Sequence, residues 1–182
     1  MNSTHRHLDA RSPLVLEVHE LGRQAGRMKE IQRIVPAPAD LAIDMIGVPE
    51  GSDVELDLRL ESVVEGVLVT GTASVSLVGE CARCLERLQD TGSYTIQELY
   101  FYPGREADDD ASWVQNDQID LDPALRDAVV LELPFTPLCR EDCAGLCPLC
   151  GADLNQLPDH SHSDPVDPRW QQLADVAVSD DQ

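Results

Sequence analysis

Along residues 54–60, VELDLRL, apolar and charged side chains alternate without a break: Val54, Leu56, Leu58 and Leu60 share one face, and Glu55, Asp57 and Arg59 the other. A period of two belongs to a strand with one buried face, because successive side chains leave a pleated backbone on opposite sides. After Glu65 and Gly66 the stretch VLVTGTASVSL repeats the alternation, setting Val67, Val69, Ala73, Val75 and Leu77 against Thr70, Thr72, Ser74 and Ser76. Two such runs with so short a connection predict an antiparallel pair. A third strand is expected over residues 94–102, where the apolar parity slips between Ile96 and Leu99; a slip of one position predicts a β-bulge. Pro103 and Gly104 end it.

From Arg105 onward the residues turn small and acidic, with Asp108, Asp109 and Asp110 consecutive, and 105–118 is expected to be a mobile surface loop rather than a metal site. Asp122 before Pro123 reads as a helix N-cap with proline at the first helical position. Leu125, Ala128, Val129 and Leu133 then complete a short amphipathic helix that Pro134 stops. The tail after Leu157 is rich in Asp, Pro, Ser and His, and Trp170, Leu173 and Val176 have the spacing of one short helix. No internal repeat is visible, which argues against a solenoid. The expected architecture is α+β: mainly antiparallel sheet, a few short helices and a cysteine-rich zinc-knuckle site. One domain over 13–157 is flanked by a disordered N-terminus, 1–12, and a flexible acidic tail, 158–182.

Charge changes this picture mainly through its distribution. Of the 182 residues, 34 are acidic and 13 basic, a net charge of −21. Residues 1–48 are balanced, so all of the excess lies beyond them. That balance argues against generic binding to a phosphate backbone and against DNA as a partner. Within the neutral first quarter, however, Arg23, Arg27, Lys29 and Arg33 cluster with only Glu30 opposing them, a local basic segment able to meet an anionic partner. Aromatics at 4% are too few for a base-stacking platform. No apolar stretch is long enough to span a membrane and the start lacks the apolar segment of a secretory signal, so a cytoplasmic protein is expected.

In a reducing compartment, closely spaced cysteines are metal ligands or redox groups rather than disulfides. All six sit in two places: Cys81-Ala-Arg-Cys84 at the end of the second strand, and Cys139, Cys143, Cys147 and Cys150 after the helix. A C-x2-C turn brings two thiolates to one ion, and two such turns complete the tetrahedral shell that zinc prefers. Cys147-Pro148-Leu149-Cys150-Gly151 has the form of such a knuckle, proline stiffening the entry and glycine letting the backbone turn under the ion. Two ligand sets remain open. A split ribbon would use Cys81, Cys84, Cys147 and Cys150, leaving Cys139 and Cys143 as accessory ligands or free thiols; a local site would use the last four cysteines. The split ribbon is the expected one of the two, with a six-cysteine, two-metal cluster as a further possibility. Iron is an alternative metal, since thiolate sites accept both.

All-thiolate ligation points to a closed structural site rather than a catalytic zinc, which keeps an open position. A deaminase site is excluded because His19 is followed directly by Glu20, which breaks the H-x-E motif. His160 and His162 read as spare surface residues of the tail. A thiol redox role for CARC, with Arg83 lowering a cysteine pKa, is the rival, but its usual βαβ setting is missing. No phosphate-cradling loop, dinucleotide fingerprint or nucleophile elbow occurs, so no enzymatic activity is expected.

GECARCLE, the run DLDPALRDAVVLELPFTPLC and CAGLCPLCGADLN, taken together, resemble the bacterial YceD family, also called large ribosomal RNA subunit accumulation proteins. SPLVLEVHELGR, VPAPADL and DPRWQQLADV are similar to its actinobacterial branch, so the resemblance covers roughly residues 11–178. It implies a non-catalytic role in accumulation of large-subunit (23S) ribosomal RNA, with that RNA or a pre-ribosomal particle as partner. The acidity then requires that RNA be met through a localised patch, here Arg23, Arg27, Lys29 and Arg33 with Arg83 and Arg87 beside the knuckle, or that a basic ribosomal protein mediate contact.

Overall fold

The computed structural model describes residues 8, 9 and 11–162. Those of 1–143 form one compact unit and those of 144–182 a second. The division falls inside the segment 13–157 that the sequence presents as a single domain. The helix expected near Trp170 and most of the expected disordered N-terminus lie outside the described residues.

The first unit is built on a twisted, mainly antiparallel sheet. Its centre is β4 (Asp53–Ser62) beside β5 (Gly66–Glu80), paired in register from Val54↔Val75 to Ser62↔Val67. The alternation read from the sequence is what the pairing requires: Val54, Leu56, Leu58, Leu60, Val67, Val69, Ala73 and Val75 all face the core. β2 (Met28–Pro36) lies antiparallel on the far side of β4, and β3 (Ile46–Gly47) continues that side of the sheet against Val78 and Gly79, past the end of β4. β6 (Arg87–Phe101) pairs with the whole of β5, and β7 (Ser112–Trp113) adds a parallel edge at Tyr100 and Phe101. A separate two-stranded sheet joins β1 (Val15–Glu17) to β8 (Gln118–Asp120). The single α-helix among the described residues, α1 (Asp122–Val130), packs Leu125 and Val129 into the same core.

Several expectations are corrected. No bulge interrupts β6: its register with β5 is uniform from Glu80↔Arg87 to Gly66↔Phe101. Tyr94, Ile96 and Tyr100 share the buried face, and Leu99 is an apolar residue on the other one. The strand is also far longer than expected, because β5 supplies a continuous ladder to a polar stretch that has no core pattern of its own. The acidic loop contains β7 and is closed by a tight turn at Asn116 and Asp117, both with positive φ, between the bridged residues Gln115 and Gln118. At α1 the cap position is Leu121, and the Asp122 N–H is taken by the Asp120 carboxylate at 3.1 Å. The helix ends at Val130, before Leu133.

Candidate metal centres

The end of β5 and the start of β6 are joined by a knuckle turn. The Cys81 N–H donates to the Glu86 carbonyl at 2.8 Å, and the Leu85 N–H returns to the Cys81 carbonyl at 2.9 Å. Closing so tightly puts Leu85 in the left-handed region, φ +61°, an unusual state for a branched aliphatic residue that the flanking pair of hydrogen bonds holds. After α1 the chain comes back alongside this turn: the Ala82 N–H donates to the Pro137 carbonyl at 2.8 Å, and Arg83 Nη1 to the Cys143 carbonyl at 2.9 Å. Cys139 and Cys143 are thereby brought to the knuckle.

The result is one group of four sulfurs. Cys81 Sγ lies 3.8 Å from Cys143 Sγ and Cys84 Sγ 3.6 Å from Cys139 Sγ, all four being within 4.8 Å of one another. Sulfurs placed about 2.3 Å from a tetrahedral zinc stand about 3.8 Å apart, so the cage has the size of an all-thiolate, four-ligand zinc site. Its electrostatics agree. Burial pushes the Cys81 thiol up, but N–H groups of Cys84, Cys139 and Arg83 directed at the sulfur outweigh it and bring it down to about 6. Cys139 is pushed up to about 12 by burial and by the thiols of Cys143, Cys84 and Cys81. Cys84 is also raised: the Glu86 N–H favours its thiolate, but burial and the Cys81 sulfur prevail. Four thiolates this close would repel one another, and a divalent cation among them would offset that charge.

A second group lies wholly in the second unit. The Cys147 carbonyl accepts the Gly151 N–H at 2.8 Å, and Gly151, at φ +74°, turns the chain so that the Cys147 N–H reaches the Ala152 carbonyl at 2.8 Å. Cys147 Sγ is 3.2 Å from His162 Nε2, Cys150 Sγ is 3.2 Å from His160 Nε2, and the two Nε2 atoms are 2.9 Å apart. N–H groups of Leu149 and Cys150 hold the Cys147 thiol at about 6 against its burial, helped by His160. Four side chains of the types zinc prefers converge on one point there, a set that could hold a soft cation.

This partition corrects the expected ligand sets. Neither the split ribbon of Cys81, Cys84, Cys147 and Cys150 nor the local set of the last four cysteines is assembled. Cys81 and Cys84 meet Cys139 and Cys143, which follow shortly after the Pro137 contact with the CARC turn. Cys139 and Cys143 are therefore members of a cage, not accessory or free thiols. His160 and His162, read as spare surface residues, are the partners of Cys147 and Cys150. Their H-x-H spacing is shorter than the H-x3–5-H of familiar zinc motifs; the signal that could have found them is a C-x2-C knuckle with no other cysteine following it.

The expected RNA-binding side chains do not form one patch. Arg23 lies over the Tyr102 ring, 5.4 Å from its centroid, and Arg27 Nη1 donates to the Glu20 carbonyl at 3.3 Å. Lys29 Nζ pairs with Glu20 at 2.8 Å, lowering that carboxyl's pKa, and Arg33 Nη1 donates to the Pro13 carbonyl at 3.0 Å. Lys29 is in line across the sheet with Leu60, Val69 and Glu98, near the end of β6, whereas Arg87 opens that strand. At about 3.3 Å per residue the two groups are separated by on the order of 30 Å along β6.

The fold is a mainly antiparallel sheet protein whose knuckles and turns gather two four-residue sets of cysteine and histidine that could each hold a metal ion. This chain belongs to the YceD family: the family described as large ribosomal RNA subunit accumulation protein YceD matches residues 69–177, a span that includes both ligand sets. It is 44% identical to the uncharacterized protein Rv2926c of Mycobacterium tuberculosis over 170 residues, 91% of this chain and 82% of that one. The uncharacterized protein ML1660 of Mycobacterium leprae is 39% identical, with 98% and 83% covered. YlbN of Bacillus subtilis, also uncharacterized, is 27% identical over 61% of this chain and 66% of its own. No solved structure matches. Among the described residues, no helix is long and apolar enough to cross a membrane.

Proposed function

We propose that this chain is a non-catalytic ribosome-biogenesis factor that supports accumulation of large-subunit ribosomal RNA and carries zinc as a structural element. The observation that supports the reading is membership of the YceD family over a span holding every cysteine, combined with ligand sets that fill four positions from protein alone. Such a shell leaves no position for a substrate or an activated water, so the metal's part is to hold the β5–β6 turn to the segment after α1. Where zinc is bound, it supplies charge for four thiolates and on the order of 10 kcal/mol of apparent folding free energy. The chain's own groups do the rest: backbone N–H groups of Cys84, Cys139 and Arg83 orient the Cys81 sulfur, and burial excludes water from it.

Direct contact with RNA, or contact through a basic ribosomal protein, belongs to this same reading. The acidic bulk of the chain favours the protein-mediated route, since electrostatic complementarity chooses partners of opposite sign. The test is a strain lacking the protein. A fall in large-subunit relative to small-subunit rRNA, restored by the wild-type chain and not by a Cys84→Ser variant, is expected. An unaltered rRNA ratio and unaltered subunit profile would overturn the proposal. Cys81–Cys84 disulfide formation under mild oxidant in the zinc-loaded protein would instead favour thiol redox chemistry.

A further inference from the structure

The two ligand sets sit in very different surroundings. Cys81 and Cys143 are buried, and the cage they belong to is joined to a sheet with an extensive apolar core. Among the described residues the second set has neither support. No residue of 144–162 belongs to the hydrophobic core cluster, and the segment contains no helix or strand, only the single bridge Leu146↔Asp153. What order it has comes from a few turns: Leu154 N–H to the Gly145 carbonyl at 3.0 Å, the Asn155 side chain on the Ala144 N–H at 2.7 Å, and the Asp153 carboxylate on Asn155 and Gln156. Leu149 and Leu157 stay exposed at 65% and 51%. A short stretch that adds nothing to a core among the described residues gains little order from burial, and a metal is one means of holding such a stretch.

We propose that Cys147, Cys150, His160 and His162 form a second zinc site that loads and empties independently of the four-cysteine cage, and that its zinc is what folds residues 144–162. Three features point the same way. The ligands span only the knuckle and the turn leading to His162, so the metal closes one short loop and nothing else. Cys150 and His162 are exposed, so a competing chelator can reach the ion, whereas the cage offers it two buried sulfurs. Two imidazoles replace two thiolates, so the set carries less negative charge toward the ion, and binding and folding are coupled in one step. Zinc at this site is thus the exchangeable one, and its loss unfolds residues 144–162 while the sheet stays intact.

The test uses the full-length, zinc-loaded protein titrated with a chelator, following released zinc with a metallochromic indicator and chain order by limited proteolysis. Two zinc ions per chain leaving in two steps are expected, with the first step opening 144–162 to protease while the sheet unit survives. A His160→Ala/His162→Ala variant should hold one zinc, show only the second step and keep the wild-type far-ultraviolet spectrum. Should the double variant prove hard to handle, His162→Ala alone should show an earlier first step and an unmoved second. One zinc in the wild type, both ions leaving together, or two ions retained by the double variant would each overturn the proposal. None of these outcomes bears on the ribosomal reading, which is tested by rRNA levels.

Discussion

The guanidinium of Arg83, at the centre of the CARC turn, donates to the carbonyl of Cys143 at 2.9 Å, across 60 positions of sequence. It ties the first knuckle to the last ligand of the cage without touching the metal position. A charged donor on a backbone carbonyl contributes about 1–2 kcal/mol when the site is partly shielded. Arg83→Ala should therefore lower the melting temperature by a few degrees, roughly 2–6 °C, while zinc content stays as in the wild type. Calorimetry and elemental analysis on the same sample check both halves. A fall in zinc with no change in melting would contradict the role.

Cys139 decides between ligand sets. In the structure its sulfur is 3.6 Å from Cys84, so Cys139→Ser should remove the cage's zinc and leave the His160/His162 set loaded. Loss of a metal worth on the order of 10 kcal/mol should unfold or loosen the first unit, far beyond the effect of an ordinary core substitution. Under the split-ribbon arrangement the same variant would keep its metal. Zinc per chain by elemental mass spectrometry separates the two.

How much of this was legible follows from where burial is one-sided. β4 and most of β5 could be read because Leu56, Leu58, Val67 and Val69 face a core while their neighbours face water. β6 could not be read before Tyr94, since Leu88 is its sole large aliphatic residue there and the pairing partner, not the pattern, makes it a strand. β2 was hidden for another reason: Lys29 and Arg33 occupy the same side as Ile31 and Val35 on a sheet edge, a placement that blunts an edge against further pairing and erases the alternation. The spacing of the six cysteines pointed to clusters that could hold a metal ion, but their partition goes with the Ala82–Pro137 contact, which no spacing encodes.

Gly71 sits between Leu58 and Ile96 in the middle of the sheet, at φ +155°. A Cβ there would run into the Asp57 carbonyl and the Leu58 Cα. Gly71→Ala must bear both a strained backbone and a displaced central strand. A loss of about 2–3 kcal/mol is expected. The urea midpoint should fall with its slope unchanged; an unaltered midpoint would mean that β4 can move aside.

Alkaline stability should be governed by Tyr100. Its hydroxyl donates to the Asp120 carbonyl at 2.9 Å, and burial, followed by the charges of Glu98 and Asp120, raises its pKa well above the usual tyrosine value. The unfolded chain ionises near pH 10, the native one does not, so stability from this group is complete below about pH 10 and declines as pH rises beyond it. Tyr100→Phe should lose about 1 kcal/mol at neutral pH and flatten the alkaline decline. Tyr94, also raised by burial, leaves a residual slope. Urea unfolding of both proteins between neutral pH and pH 11 measures the difference.

The basic segment before and along β2 offers the sharpest test of direct RNA contact, because its cations are already engaged within the protein. Glu20 takes Lys29 on its carboxylate and Arg27 on its carbonyl, so an incoming phosphate must displace the former. If RNA binds here, Glu20→Gln should tighten binding by releasing Lys29. Replacing Arg23, Arg27, Lys29 and Arg33 with glutamine should weaken it and flatten its salt dependence, by about 0.7 in the logarithmic slope for each single-strand phosphate that is no longer neutralised. The quadruple variant also gives up the Arg33 bond to Pro13 and the packing of Arg23 on Tyr102, so its melting temperature must be measured beside its affinity. Affinity and salt slope unmoved by both variants, in a folded protein, would remove this segment from RNA contact and leave a basic protein as the link to the ribosome.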